Sequence, residues 1–138
     1  MGDKWYIISN EQDIPSPAIL VFPDRIQEKI RRMIAIAGGV GRPRPHVKTH
    51  KLPQVVQMQM EAGIIRFKCA TLSEAAMLAA TGVKDILVAY PLYAPAMRQL
   101  IALMEQYPEV RFSMLIDNPI QIEIAAKMPT FRGKPLIP

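Results

Sequence analysis

From Arg44 onward, short strand-like runs alternate with helix-like runs whose first residues carry capping chemistry. That alternation restricts the chain to parallel βαβ units. The strand candidates are Arg44–Lys48, Ile64–Cys69, Asp85–Ala89 and Val110–Leu115, with Pro135–Ile137 opening a fifth. Pro53 suits the first turn of a helix, where it has no N–H to leave unpaired. Thr71-Leu72-Ser73-Glu74 is a capping-box pattern ahead of an alanine-rich run. Pro95 opens a third helix with Met97, Leu100, Ile101 and Met104 on one face. Asn118-Pro119-Ile120-Gln121 combines an N-cap, a first-turn proline and a capping glutamine. Gly63, Gly82 and Tyr107-Pro108 stand at helix stops, and the methionines fall mostly on core-facing helix positions.

Upstream the pattern is weaker. The first 23 residues lack a clear period, and Ala18–Phe22 reads as a short strand. Asp24 can cap a helix in which Ile26, Ile30, Met33, Ile34 and Ala37 recur at helical spacing. Arg25, Lys29, Arg31 and Arg32 lie mostly outside that stripe, and Gly38, Gly39 and Gly41 end it. Length alone allows a doubly wound sheet. A (β/α)8 TIM-type barrel takes about 250 residues, so this chain would be roughly its first half. The last residues, Pro135 to Pro138, fall within a strand-like segment with no covering helix after it. The expectation is therefore an α/β chain whose residues 1–138 form an incomplete N-terminal barrel domain.

Half the residues are hydrophobic, enough for a real core, and the 13 prolines are dispersed rather than clustered into a linker. The apolar stretches break well before the roughly 18 residues a membrane span needs. The opening Met-Gly-Asp-Lys-Trp-Tyr lacks the apolar centre of a signal peptide, so the expected location is cytoplasmic, with no membrane partner. One cysteine, Cys69, excludes an internal disulfide framework and a multi-cysteine zinc site. The net charge of +5 invites an anionic partner.

The densest basic segment is Arg42-Pro-Arg-Pro-His-Val-Lys-Thr-His-Lys51. As an extended strand it puts Arg44, His46, Lys48 and His50 on one face, with Val47 and Thr49 opposite. Three readings stay open: a solvated surface strand, a phosphate-reading patch for nucleic acid, and a covalent lysine. Nucleic acid ranks last, because no aromatics interleave to stack bases. The covalent reading rests on Lys48. A lysine amine attacks a carbonyl only when neutral, whereas free lysine has a pKa of about 10.4. Neighbouring cations (Arg44, His46, Lys51) and partial burial at a strand end favour the neutral amine. His46 and His50 have the spacing of a metalloprotease helix, but Val47 stands where its glutamate belongs, and the prolines oppose a helix; no metal site is expected. Cys69 suits a buried structural thiol better than a cleft residue. Asp117 follows a strand at the end where parallel sheets carry sites, and serves equally well as helix entry. Glu74 is accounted for by its capping box.

Arg44-Pro-His-Val-Lys-Thr-His-Lys51 resembles the lysine motif of the D-threonine aldolase and D-serine dehydratase group, within the alanine-racemase-like, fold type III pyridoxal-phosphate enzymes. Ile14-Pro-Ser-Pro-Ala-Ile-Leu20, Glu61-Ala-Gly63, Cys69-Ala-Thr-Leu-Ser-Glu-Ala75 and Asp85-Ile-Leu-Val-Ala-Tyr-Pro91 resemble further landmarks of that group, in the right order. The resemblance implies that Lys48, and not Lys51, forms the internal aldimine with pyridoxal 5'-phosphate. His46, Thr49 and His50 would shape the cofactor site. It implies a barrel followed by a β-rich C-terminal domain, and a homodimer as the full-length protein. The substrate would be a small D-amino acid, cleaved as by a D-threonine aldolase or eliminated as by a D-serine dehydratase.

The alternatives, an amino-acid racemase or a non-catalytic pyridoxal-phosphate-binding protein, fit less well. Racemases carry a different tract after their lysine, and the non-catalytic relatives lack the Arg-Pro-His and Thr-His-Lys flanks. In the group resembled, the phosphate-binding loops, the second base and the divalent metal ligands come from later in the chain, the metal ligands from the C-terminal domain. The 138-residue chain alone is accordingly expected to be inactive and to hold cofactor weakly.

Overall fold

Over the described residues, 4–128, the computed structural model resolves the alternation into five α-helices and three parallel strands. In chain order these are α1 (Pro23–Ala37), α2 (Pro53–Glu61), β1 (Arg66–Cys69), α3 (Leu72–Ala80), β2 (Asp85–Pro91), α4 (Ala94–Gln106), β3 (Arg111–Leu115) and α5 (Pro119–Ala126). The sheet runs β1-β2-β3, with Arg66 opposite Asp85 and Asp85 opposite Arg111. Each neighbouring pair is joined through a helix, the right arrangement for consecutive barrel units. The expected fifth strand at Pro135–Ile137 lies outside the described residues. Among those residues, no helix is long and apolar enough to cross a membrane.

The helix starts follow their local chemistry. Pro53 and Pro119 open α2 and α5, and Pro95 sits in the first turn of α4. The Thr71 hydroxyl accepts from the Glu74 amide at 3.2 Å, and the Asn118 side chain accepts from the Gln121 amide at 3.2 Å. At α1 the cap lies two residues before the expected Asp24. Pro23 takes the first helical place, Phe22 becomes the N-cap without a side-chain bond, and Asp24 lies in the first turn, where its charge complements the helix dipole. Gly38, in the left-handed region at φ 76°, closes α1: its amide bonds the Ala35 carbonyl, and the Gly39 amide bonds that of Ile34.

Two expected strands do not form. Ala18–Phe22 is irregular, and Ile19 is 89% exposed, because no neighbouring backbone pairs with it. Arg44–Lys48 makes a single parallel bridge, His46 to Lys68, and then coils into a 3-10 turn over Val47–Thr49. The helices cover one face of the sheet. Phe67, Cys69, Ile86 and Val88 point into that layer and are fully buried with Val56, Leu78, Met97 and Leu100. Met33, Met58, Met60, Met77 and Met104 pack around them, so the methionines do line the core. The opposite face carries Arg66, Lys68, Asp85 and Leu87, all half-buried.

Candidate active site

The basic tract reaches the sheet along the free edge of β1. The Pro45 carbonyl accepts from the Lys68 amide at 2.9 Å, and the His46–Lys68 bridge aligns the tract parallel to the strand. Val47 then turns into the core and is fully buried, which pins the tract at its midpoint. Beyond it the chain cannot stay extended. The His50 and Lys51 amides both donate to the Val47 carbonyl, at 3.2 and 2.8 Å. Since His46 pairs with Lys68 in a parallel register, Lys48 to Lys51 stand at the carboxyl end of the sheet. This is the end at which parallel β/α proteins keep their sites.

The turn changes the expected side-chain arrangement. A common face for Arg44, His46, Lys48 and His50 requires two-residue periodicity throughout, and it is lost after Val47. Arg44 lies before the turn and reaches across the half-buried sheet face. Its Nη1 donates to Asp85 Oδ1 at 2.8 Å and to the Phe67 carbonyl at 3.3 Å. Lys48 and Thr49 are exposed, so the partial burial expected for Lys48 is not present. Lys48 makes no ion pair among the described residues. Lys51, three residues on, has its Nζ 3.5 Å from Glu74 Oε1.

The two histidines are half-buried and held by local amides. His46 Nδ1 accepts from the Lys48 amide at 3.2 Å, and His50 Nδ1 accepts from the Leu52 amide at 3.0 Å. These bonds assign the remaining ring proton to Nε2 in the neutral form. Burial, then the charges of Lys48 and Lys68, hold His46 below the ordinary imidazole range, against an opposing pull from Glu74. Burial also lowers His50, whose Nε2 is enclosed and has no hydrogen-bond partner among the described residues.

Glu74 was legible only as a helix cap, and it does more. Its Oε2 accepts from the Ala70 amide at 2.8 Å, while Oε1 faces Lys51. Its charge also acts on His46, His50 and Cys69. The one sequence signal for this second role was position: a carboxylate just after β1 must lie beside whatever pairs with the β1 edge. Asp85 was likewise missed as the partner of Arg44. The signal there was a lone acid heading an apolar strand. Cys69 is buried, its Sγ 3.6 Å from the Leu87 carbonyl, and burial pushes the thiol up to about 12. Asp117 takes part in helix entry: its amide donates to Gln121 Oε1, and its carboxylate accepts from Asn118. Among the described residues, no group of three or more His, Cys, Asp or Glu is placed to hold a metal ion.

A shallow groove of about 470 Å³ lies at the same end of the sheet, between the loops following β1 and β2. Thr71, Ser73, Tyr90, Tyr93 and Gln99 line it, and no residue of the basic tract does. Lys48 is therefore not part of the groove's lining.

The family described as alanine racemase, N-terminal domain, matches residues 21–136. Over 106 residues the chain is 36% identical to D-threo-3-hydroxyaspartate dehydratase from Delftia sp., covering 76% of this chain and 27% of that protein. It is 34% identical over 76 residues to D-threonine aldolase from Arthrobacter sp., covering 54% of this chain and 19% of the relative. It is also 34% identical to 3-hydroxy-D-aspartate aldolase from Paracoccus denitrificans over 89 residues, covering 63% and 23%. The crystal structure of D-threonine aldolase from Filomicrobium marinum superposes with a TM-score of 0.70 at 25% identity, over 81% of this chain and 30% of that one. The chain thus spans 19–27% of the length of these curated relatives.

Proposed function

The chain belongs to the alanine racemase N-terminal domain family, and from that premise we propose that it is the N-terminal barrel portion of a pyridoxal-phosphate-dependent lyase, with Lys48 binding the cofactor covalently. The observation that carries this reading is the difference between the two lysines of the tract. Lys48 presents an exposed amine, without an ion pair among the described residues, at the carboxyl end of a parallel sheet. Lys51 is turned toward Glu74. An aldehyde needs an accessible amine, and Lys48 provides it.

The residues present fit the aldehyde end of the group. His46 and His50, held below the ordinary imidazole range by burial, flank Lys48 in the tract. Thr49 is exposed on the same turn and adds a hydroxyl to that surface. The bound ring supplies an electron sink for bonds at the substrate α-carbon. The groups that hold the phosphate, the second base and any divalent metal belong, on this reading, to the remainder of a longer protein. The 138-residue chain by itself is then inactive.

Two of the relatives are named as aldolases and one as a dehydratase, and the substrates in those names are 3-hydroxy amino acids of the D series. The proposed substrate class is therefore a D-3-hydroxy amino acid. Retro-aldol cleavage would break its Cα–Cβ bond to give glycine and an aldehyde. Elimination would instead expel the 3-hydroxyl as water and lead to a keto acid and ammonia.

The test is to incubate the full-length protein with pyridoxal phosphate, reduce with borohydride, and map the modified peptide. The label is expected on Lys48, with Lys48→Ala abolishing both the label and D-threonine cleavage. A fully active Lys48→Ala protein would overturn the assignment.

A further inference from the structure

Lys48 and Lys51 are three residues apart on one short turn, so a small aldehyde reaching this end of the sheet meets two amines. We propose that Glu74 is the positioning residue that selects between them: by holding Lys51 it leaves Lys48 as the reactive amine. This inference rests on the cofactor reading above.

The argument begins with the cost of burying Glu74. Its side chain is 5% exposed, and a carboxylate that far from water needs a partner for each oxygen. The capping role satisfies only Oε2, through the Ala70 amide. The Lys51 ammonium serves Oε1. A cap alone would require no cation, and a glutamine would perform it.

The backbone of the tract is bent to bring that cation in. Lys51 has a φ of 51°, in the left-handed region that residues with a Cβ seldom adopt, and it is the single non-glycine residue there among those described. Its amide is fixed to the Val47 carbonyl, and Val47 is anchored in the core. The turn is thus held at both ends, one apolar and one ionic, with Lys48 between them.

The chemistry of selection follows. In forming the linkage, the lone pair of a neutral amine makes a C–N bond to the aldehyde carbon, and the aldehyde oxygen leaves as water. An ammonium has no lone pair. Either lysine must shed a proton to react, but Lys51 would also have to give up its contact with a buried carboxylate, leaving Oε1 without its partner. Lys48 has no such contact to break.

The test uses the full-length protein, pyridoxal phosphate, borohydride reduction, and quantitation of the Lys48 and Lys51 peptides. Glu74→Gln retains an acceptor for the Ala70 amide but loses the charge. It should raise the Lys51 share of the label by about two- to fivefold, the range for a pair whose lysine stays open to solvent. Raising the salt to about 1 M with the unaltered protein should shift the ratio the same way by less, because Lys51 is solvent-accessible and screened. Adding Lys51→Met to Glu74→Gln should return the label to Lys48 alone. A purely structural cap would lower total labelling at a constant ratio. If the ratio stays constant in both the variant and high salt, the proposal is overturned. Should Glu74→Gln fail to fold, the salt series decides. An unlabelled Lys48 in the unaltered protein would instead overturn the cofactor reading.

Discussion

On the helix-covered face of the sheet, Phe67, Cys69, Ile86 and Val88 are fully buried; one residue along on the same strands, Arg66, Lys68, Asp85 and Leu87 are half-buried on the other face. The first set is held by shape and apolar contact, which many similar side chains could supply. The second is organised by named partners: Arg44 with Asp85, and at its carboxyl edge Lys51 with Glu74. Stability should therefore reside mainly in the covered face. The open face should govern where the basic tract lies. Substitutions that separate these two properties test the division.

The largest effect belongs to the covered face. Phe67→Ala should cost about 3–5 kcal/mol, the usual range for deleting a buried aromatic. Lys68→Ala, its neighbour on the open face, should stay within about 0.5 kcal/mol. Urea denaturation of both variants measures the contrast, and comparable losses would erase the distinction between the faces.

The Arg44–Asp85 pair comes next. It is partly screened, with side chains 28% and 20% exposed, so Asp85→Ala should cost about 1–3 kcal/mol, between surface and buried ion pairs. Arg44 also donates to the Phe67 carbonyl, a bond that survives this change. A double-mutant cycle with Arg44→Met should recover most of the loss as coupling energy. Additive effects would show that the pair does not hold the tract to β2.

The extent to which this arrangement could be read from the sequence depends on how local its causes are. The starts of α2, α3 and α5 were legible because Pro53, Thr71 with Glu74, and Asn118 with Gln121 act within one turn. The strands of the sheet were legible because they are short apolar runs between such helices. The tract was legible as a chemical motif and misread as a strand. Its alternating residues fit an extended chain, but Val47 docks in the core and Lys51 turns toward a carboxylate 23 positions away. Ala18–Phe22 shows the converse: an apolar, β-branched run remains irregular without a neighbouring strand to pair with. Lys48 was found from its tract, whereas Glu74 and Asp85 become visible as partners only once the strands are placed side by side.

Cys69 tests the covered face without altering it. With its thiol buried and pushed up to about 12, it has almost no thiolate at neutral pH. Modification by a thiol reagent at about pH 8 should be slower than for a free thiol by at least about a hundredfold, and should follow unfolding as urea is added. Rapid labelling of the folded protein would mean that the sheet opens at β1.

The smallest effect distinguishes the two histidines, which sit on either side of Val47. Both are lowered from the ordinary imidazole value by burial, so the folded protein resists a proton that the unfolded chain accepts near about pH 6.5. Above that pH both states are neutral, and the stability is fully present. As the pH falls, the unfolded state binds more protons, and stability declines down through the folded-state pKa values. Glu28 and Glu109, lowered by their hydrogen bonds and open to solvent, act in the same direction only at more acidic pH. His50 should carry more of the decline than His46, because its Nε2 is enclosed and unpartnered. An asparagine at either site can present its Oδ1 to the amide that Nδ1 now accepts, preserving the turn while removing the titration. Urea midpoints at about pH 7.5 and 5.5 should therefore differ less in His50→Asn than in the parent, with His46→Asn between them. Equal flattening by both variants would place the two rings in equivalent surroundings and remove His50 from the buried side of the turn.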